Sequence, residues 1–245
     1  MEITVIASGS NGNCCLVEDR KNSILIDAGK SCREIDSRMN QLGKSLENVD
    51  AIIITHSHHD HISGAGIISR MHGIPLYMSK ETFEEANRKI GDSKIKHFSQ
   101  KPFRVGDMEI RPIQTSHNVS SCGFAIGGFG LFTDTGIVTK QMQDILPKLK
   151  GVLLESNHDI DMLINGRYPA YLKQWILSDV GHLSNIHASE FIQEKGKNLS
   201  LVLLGHLSGN NNTPAITRKT FETLVKRKID YDVCSRDKAS GKWII

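Results

Sequence analysis

The chain predicts an α/β fold of four layers, helix–sheet–sheet–helix, built as a single domain over residues 1–245. Three observations point there. Short β-rich runs alternate with helical periodicity through both halves of the sequence. No Pro/Gly/Ser-rich linker separates the halves. The stretch 51–55 begins as an unbroken apolar run, as expected of a strand buried on both faces.

Taken in order, 3–7, 15–18 and 23–26 read as strands, joined by the turn-rich stretches 8–13 and 19–22. A helix is predicted over 31–42, the buried strand over 51–55 and a helix over 60–71. A short strand follows at 76–78, then a helix over 79–90 with Ser79 as N-cap. The second half repeats the pattern. Strands are expected at 108–115, 122–126, 131–133, 152–155 and 199–204. Helices are expected at 139–149, 168–177, 185–195 and 214–228.

Composition narrows the function classes. With 39% hydrophobic and 23% charged residues the chain is globular, not disordered. A net charge of +3 does not repel a polyanion and does not by itself argue for one. The N-terminus lacks a basic n-region and a long apolar core, and no apolar run approaches the roughly 18 residues of a membrane span. A cytoplasmic protein with no membrane partner is therefore expected. Cys14, Cys15, Cys32, Cys122 and Cys234 are odd in number and include no Cys-x-x-Cys pair. They read as reduced thiols serving as small core residues.

The strongest chemical signal is Thr55-His56-Ser57-His58-His59-Asp60-His61, where a buried strand gives way to a helix. Side chains alternate on an extended segment, so His56 and His58 project the same way and can grip one cation. Asp60 and His61, at the helix start, can present a second ligand pair. Imidazole and carboxylate donors suit Zn, Mn or Fe. His59 fits no ligand position and reads as a solvated loop histidine.

Two further stretches have a physical reading of their own. Ser208 to Thr213 precedes a helix opening at Pro214. Its backbone N–H groups, the Ser208 hydroxyl and the Asn211 and Asn212 amides can make an anion cradle for which phosphate is the natural guest. Simple helix capping explains the same residues equally well. Arg218, Lys219, Lys226, Arg227 and Lys228 make the last helix basic, either as a contact for a nucleic-acid backbone or as a solvated face. Aromatic residues are only 6% of the chain, so little base-specific reading is expected.

His-x-His-x-Asp-His after a buried strand resembles the metallo-β-lactamase superfamily, and the resemblance runs over nearly the whole chain. Ile26-Asp27-Ala28-Gly29 is similar to the first motif, in which a strand-end Asp orients metal ligands through hydrogen bonds. Thr115-Ser116-His117, Thr133-Asp134-Thr135-Gly136 and Leu204-Gly205-His206-Leu207-Ser208 resemble the third, fourth and fifth motifs. The resemblance implies an αββα sandwich and a hydrolase with two divalent ions, Zn or Mn first and Fe next. By the same resemblance His56, His58 and His117 hold one ion, Asp60, His61 and His206 the other, and Asp134 bridges. A hydroxide shared by the ions would be the nucleophile, with Asp60 counted among the catalytic groups.

Within the superfamily, Gly181-His182-Leu183-Ser184-Asn185 followed by a helix, a strand and His206 is similar to ribonuclease Z. There a His assists the leaving group. By resemblance His182 takes that role and Glu155 orients it, although Leu154 and Leu183-Ser184 depart from that family's pattern. The fullest resemblance is to the YycJ/WalJ group of bacterial exonucleases. It is carried by Ala7 to Asn13, Glu155-Ser156-Asn157-His158-Asp159, Asp179 to Asn185 and His206 to Pro214. It implies a phosphodiester hydrolase, with DNA favoured over RNA as the nucleic-acid substrate. The alternatives are a thioesterase of the glyoxalase II type and a ribonuclease of the ribonuclease Z type.

Overall fold

Apolar, β-branched runs build the first of two units in the computed structural model, which describes residues 1–245. This unit comprises Met1–Pro112 and Ser235–Ile245, and the second Ile113–Cys234. The chain opens with β1 (Glu2–Ala7), β2 (Cys14–Glu18) and β3 (Ser23–Ile26), an antiparallel meander. It continues through α1 (Cys32–Gln41), β4 (Ala51–Ile53), α2 (His59–Ile62), α3 (Ala65–His72), β5 (Leu76–Met78), α4 (Lys80–Ile90) and β6 (Ile95–His97). The hairpin β7 (Phe103–Val105) and β8 (Met108–Gln114) then carries it into the second unit.

There it forms β9 (Cys122–Ile126), β10 (Phe129–Phe132), α5 (Lys140–Ile145), β11 (Gly151–Glu155), α6 (Ile160–Asn165), α7 (Ala170–Ile176) and α8 (Asn185–Lys195). β12 (Leu201–Gly205), α9 (Pro214–Leu224) and β13 (Asp230–Val233) complete it. The last strand, β14 (Lys242–Ile244), returns to the first unit and pairs antiparallel with β1. Both sheets are mixed, with orders β14-β1-β2-β3-β4-β5-β6 and β13-β12-β11-β10-β9-β8-β7.

Each unit has its own core. In the first, Leu16, Leu25, Ile52 and Leu76 of the sheet pack with Ile35 and Met39 of α1, Ile68 of α3 and Ile90 of α4. In the second, Val152, Leu154, Val202 and Leu204 pack with Ala188, Phe191 and Ile192 of α8 and Phe221 of α9. Small polar side chains start the helices by accepting from the exposed N–H groups of the first turn: Ser79 from Thr82, Ser184 from His187 and Thr213 from Ile216.

The structure departs from the sequence expectation in identifiable places. The helix expected over 60–71 is two helices, because Gly64 turns its N–H to the Ala28 carbonyl at 2.8 Å. The last helix stops at Leu224, not at 228, where Val225 adopts an extended backbone. Its basic face is also smaller than its composition implies. Arg218 pairs with Asp232, and the Arg227 guanidinium donates to the Ile192 carbonyl. Strands β6, β7, β13 and β14 and helix α6 were not anticipated. All are short, and the strands lie at or near sheet edges with exposed polar residues, so pairing rather than an apolar pattern defines them. Of the five cysteines, Cys14, Cys15 and Cys234 are buried and Cys32 and Cys122 half-buried. No helix is long and apolar enough to cross a membrane.

Candidate metal centre

Backbone strain marks the residues that matter. Three non-glycine residues have a left-handed backbone: Asp27 (φ 61°), Asp134 (φ 57°) and His206 (φ 56°). All three were singled out from the sequence, and each lies at the end of a strand: Asp27 directly after β3, Asp134 two residues after β10 and His206 directly after β12. Such conformations cost of the order of 1 kcal/mol or more each and persist only where the surroundings impose them. Here the strain turns a side chain out of the end of a sheet.

In the first unit, Asp27 is the organiser. Its carboxylate accepts from the Thr55 backbone N–H at 2.9 Å and from the Thr55 hydroxyl at 2.9 Å. It also lies 2.7 Å from His61 Nδ1. The Thr55 hydroxyl lies 2.9 Å from His56 Nδ1. Both imidazoles are thus engaged through Nδ1, a pattern that leaves Nε2 as the lone-pair donor. Burial pushes the Asp27 carboxyl upward, against the opposing pull of His61 and Thr55. The His56 ring lies 4.6 Å from that of His58 and 4.1 Å from that of His61, a grouping that suits metal ligation. Asp60 Oδ2 stands 3.5 Å from His61 Nε2.

Gly29 makes this packing possible: a Cβ there would lie 1.6 Å from the Asp60 carbonyl oxygen, so the Asp27 turn can lie directly on the start of α2. Asn13 was missed as a site residue. Its amide donates to Asp60 Oδ2 at 3.3 Å and lies 3.0 Å from His61 Nε2. Its sequence signal was its place at the end of Ala7 to Asn13, a stretch that carries the family resemblance and could touch substrate but that tight-turn chemistry explains as well. His59 is exposed.

In the second unit, Glu155 is the organiser. It ends β11 fully buried, with Oε1 2.7 Å from His182 Nδ1 and 2.8 Å from His206 Nδ1. Its Oε2 accepts from the backbone N–H groups of Thr135 and Leu183 at 3.0 and 3.2 Å. Burial pushes this carboxyl up, but His182 and His206 outweigh it and bring it to about 2. Asp134 Oδ1 faces His206 Nε2 at 3.5 Å, His117 Nε2 at 3.8 Å and His182 Nδ1 at 3.9 Å. Asp134, Glu155, His182 and His206 bring one ligand atom each to within 4.8 Å of one another, a group that could hold a cation. Glu155 was expected to orient His182; that it also orients His206 was not.

The loop after His206 needs a correction. Asn212 was expected to offer its amide to substrate. Instead its Nδ2 donates to the carbonyls of Ser156 and Asn157 and to Asn185 Oδ1, and its Oδ1 accepts from Asn185, Thr213 and Thr217. With its hydrogen-bonding capacity filled, it shapes the loop. The Ser208 hydroxyl accepts from the Asn211 N–H at 3.2 Å. The Asn211 amide is buried with neither side-chain atom partnered.

His158 is likewise buried, and neither ring nitrogen has a hydrogen-bond partner. Burial holds its imidazole down at about 4, from an ordinary 6.5. A histidine kept neutral by the fold stabilises it above the unfolded pKa and withdraws that stability as pH falls toward the folded one. From pH 7.5 to pH 5 the contribution lost is about 2 kcal/mol. Urea denaturation of chelator-treated protein is expected to show this loss in wild type and a correspondingly smaller one in His158→Gln. Equal losses in both proteins would contradict a neutral buried His158.

Comparison with known proteins places these observations in a family context. Residues 7–145 match the metallo-beta-lactamase superfamily. Over 230 residues the chain is 38% identical to exodeoxyribonuclease WalJ of Streptococcus pneumoniae serotype 2, covering 89% of this chain and 86% of that protein. It is 32% identical over 241 residues to exodeoxyribonuclease YycJ of Bacillus anthracis, covering 93% and 90%. Among solved structures, the metallo-beta-lactamase fold protein YhfI of Bacillus subtilis superposes with a TM-score of 0.76 at 20% identity, covering 98% of this chain and 99% of that one.

Proposed function

The chain belongs to the metallo-β-lactamase superfamily and has its α/β fold, and we propose that within it the protein is a metal-dependent DNA exonuclease. Relatives named exodeoxyribonucleases align over 89% and 93% of the chain and so support the substrate class. The observation that carries the chemistry is the pair of bonds from one buried carboxylate, Glu155, to two imidazoles of different use, His206 and His182.

The donor set suits divalent cations. His61 and His206 each engage a carboxylate through Nδ1, which leaves Nε2 for a metal. In this reading His56, His58 and His117 would hold one ion, Asp60, His61 and His206 would hold a second, and Asp134 would serve both. Zn and Mn are the favoured ions. Bound there, they supply Lewis-acid polarisation of the phosphate and an activated nucleophile at neutral pH. The chain's own residues do the rest. Asp27 and Glu155 fix ligand tautomers. Glu155, ionised above a pKa of about 2, also holds His182 through Nδ1, which frees the other ring nitrogen to protonate the departing sugar oxygen. Ser208 and Asn211 remain candidates for phosphate contact in the loop after His206.

Incubation with Mn or Zn of single- and double-stranded DNA, RNA and a glutathione thioester tests the reading. Metal-dependent shortening of DNA from its ends is expected, with no turnover after chelation. Brisk thioester hydrolysis with no nucleic acid or simple phosphodiester cut would overturn it in favour of a thioesterase. Preference for RNA would favour the ribonuclease Z type.

A further inference from the structure

We propose that Trp175 is a stacking platform for the terminal base of a single-stranded DNA end, carried beside His182 on an arm formed by residues 160–180. The proposal rests on the exonuclease reading above and adds how the strand end is held.

The arm comprises α6, α7 and the turns around them, between Glu155 on β11 and His182 before α8. It is pinned from below. Leu163 and Ile176 are buried, and the His182 N–H donates to the Ile176 carbonyl at 3.0 Å. The Tyr168 hydroxyl accepts from the Asn210 amide at 2.8 Å, which ties the arm to the loop after His206. Gly136, two residues past Asp134, lets the arm pass closely: a Cβ there would lie 2.3 Å from the Ser178 carbonyl oxygen.

The arm exposes several large apolar side chains among its polar ones. Tyr171 is 74% exposed, Ile164 54% and Leu177 47%. Its charged residues, Asp161 and Asp179 against Arg167 and Lys173, cancel. A surface of this kind does not attract a phosphate backbone by charge, but it can hold a flat apolar face.

Trp175 connects this surface to the chemistry. Its ring centroid lies 5.4 Å from that of His182, at an interplanar angle of 89°, and 6.1 Å from that of His117. A perpendicular contact uses at most one face of the indole, so the other is clear of His182. Trp175 is half-buried, and the aromatic rings beside it are the site imidazoles His117 and His182. A base at a free strand end has its own face unstacked on one side, and base–aromatic stacking is tolerant of sequence. That suits an enzyme removing one nucleotide after another.

Two measurements test the platform. The first compares wild type, Trp175→Ala and Trp175→Phe on a single-stranded oligodeoxynucleotide and on bis-p-nitrophenyl phosphate, which has no base. Trp175→Ala is expected to raise KM for DNA roughly 5- to 100-fold, with turnover of the nitrophenyl diester and metal content little changed. Trp175→Phe should restore most of the loss. The second uses Trp243→Phe, which leaves Trp175 as the only tryptophan of the two in the chain. Titrating this metal-loaded protein with a phosphorothioate-protected single strand should quench its emission, and an abasic strand of equal length should not. Equal quenching by both strands, no quenching, or an unchanged KM in Trp175→Ala would overturn the proposal. Wild type that cuts neither DNA nor the nitrophenyl diester would instead defeat the exonuclease reading. The quenching experiment needs no turnover and judges the platform in either case.

Discussion

Asp134→Asn is expected to lose bound metal and to lower DNA hydrolysis by more than about 100-fold, beyond the range typical of groups that only support a ligand. The substitution is chosen because it isolates charge from shape. Asp134 has a left-handed backbone, φ 57°, and asparagine is among the few residues that adopt it readily. The fold should therefore survive, and chelated wild type and variant should melt at similar temperatures. What disappears is the anion that faces His206 Nε2 at 3.5 Å and His117 Nε2 at 3.8 Å. Those imidazoles remain, but the proposed set loses one of its two carboxylates, Asp60 being the other, and with it the one anion placed to serve both ions. Elemental analysis alongside the exonuclease assay checks this. A variant with full metal content and wild-type rates would remove Asp134 from the ligand set.

His182→Ala should behave differently, and the contrast separates proton transfer from metal binding. His182 is held at 2.7 Å by Glu155 through the same carboxylate oxygen that holds His206. Removing its ring leaves His206 anchored and Glu155 still bonded to the Thr135 and Leu183 N–H groups. Metal content should hold. The rate constant kcat on DNA should fall by about 10²-fold or more, the usual contribution of a positioned general acid. A p-nitrophenyl phosphodiester releases a stable anion and needs little protonation, so its hydrolysis should suffer far less. Equal losses on both substrates would show that His182 positions substrate or metal instead. No loss on either would make it a structural loop residue.

The two variants act on neighbouring groups, so their effects are not expected to add. Asp134 Oδ1 is only 3.9 Å from His182 Nδ1, and Asp134→Asn changes the field at that imidazole as well. The metal readout therefore decides more than the rate alone.

What was legible in the sequence was local. His56 and His58 alternate on an extended segment, Ser79 stands where a helix begins, and strand-end Asp and His residues recur in order along the chain. The first two are set by side chains a few positions apart, obeying the periods of strand and helix; the strand-end Asp and His residues were legible through the resemblance of their motifs to a family. What only the tertiary structure decided was which polar atoms are already satisfied. Asn212 looked like a substrate contact, yet residues 27 and 56 positions away consume its amide. Glu155 looked like a partner for His182 alone and proved to hold His206, 51 positions away, as well. Asn13 reaches Asp60 and His61, and Trp175 lies against His117 and His182. The short edge strands took their conformation from their neighbours. A hydrogen bond or a ring contact is satisfied by proximity in space, and proximity between distant positions is created by burying the cores of the fold; no period in the sequence records it.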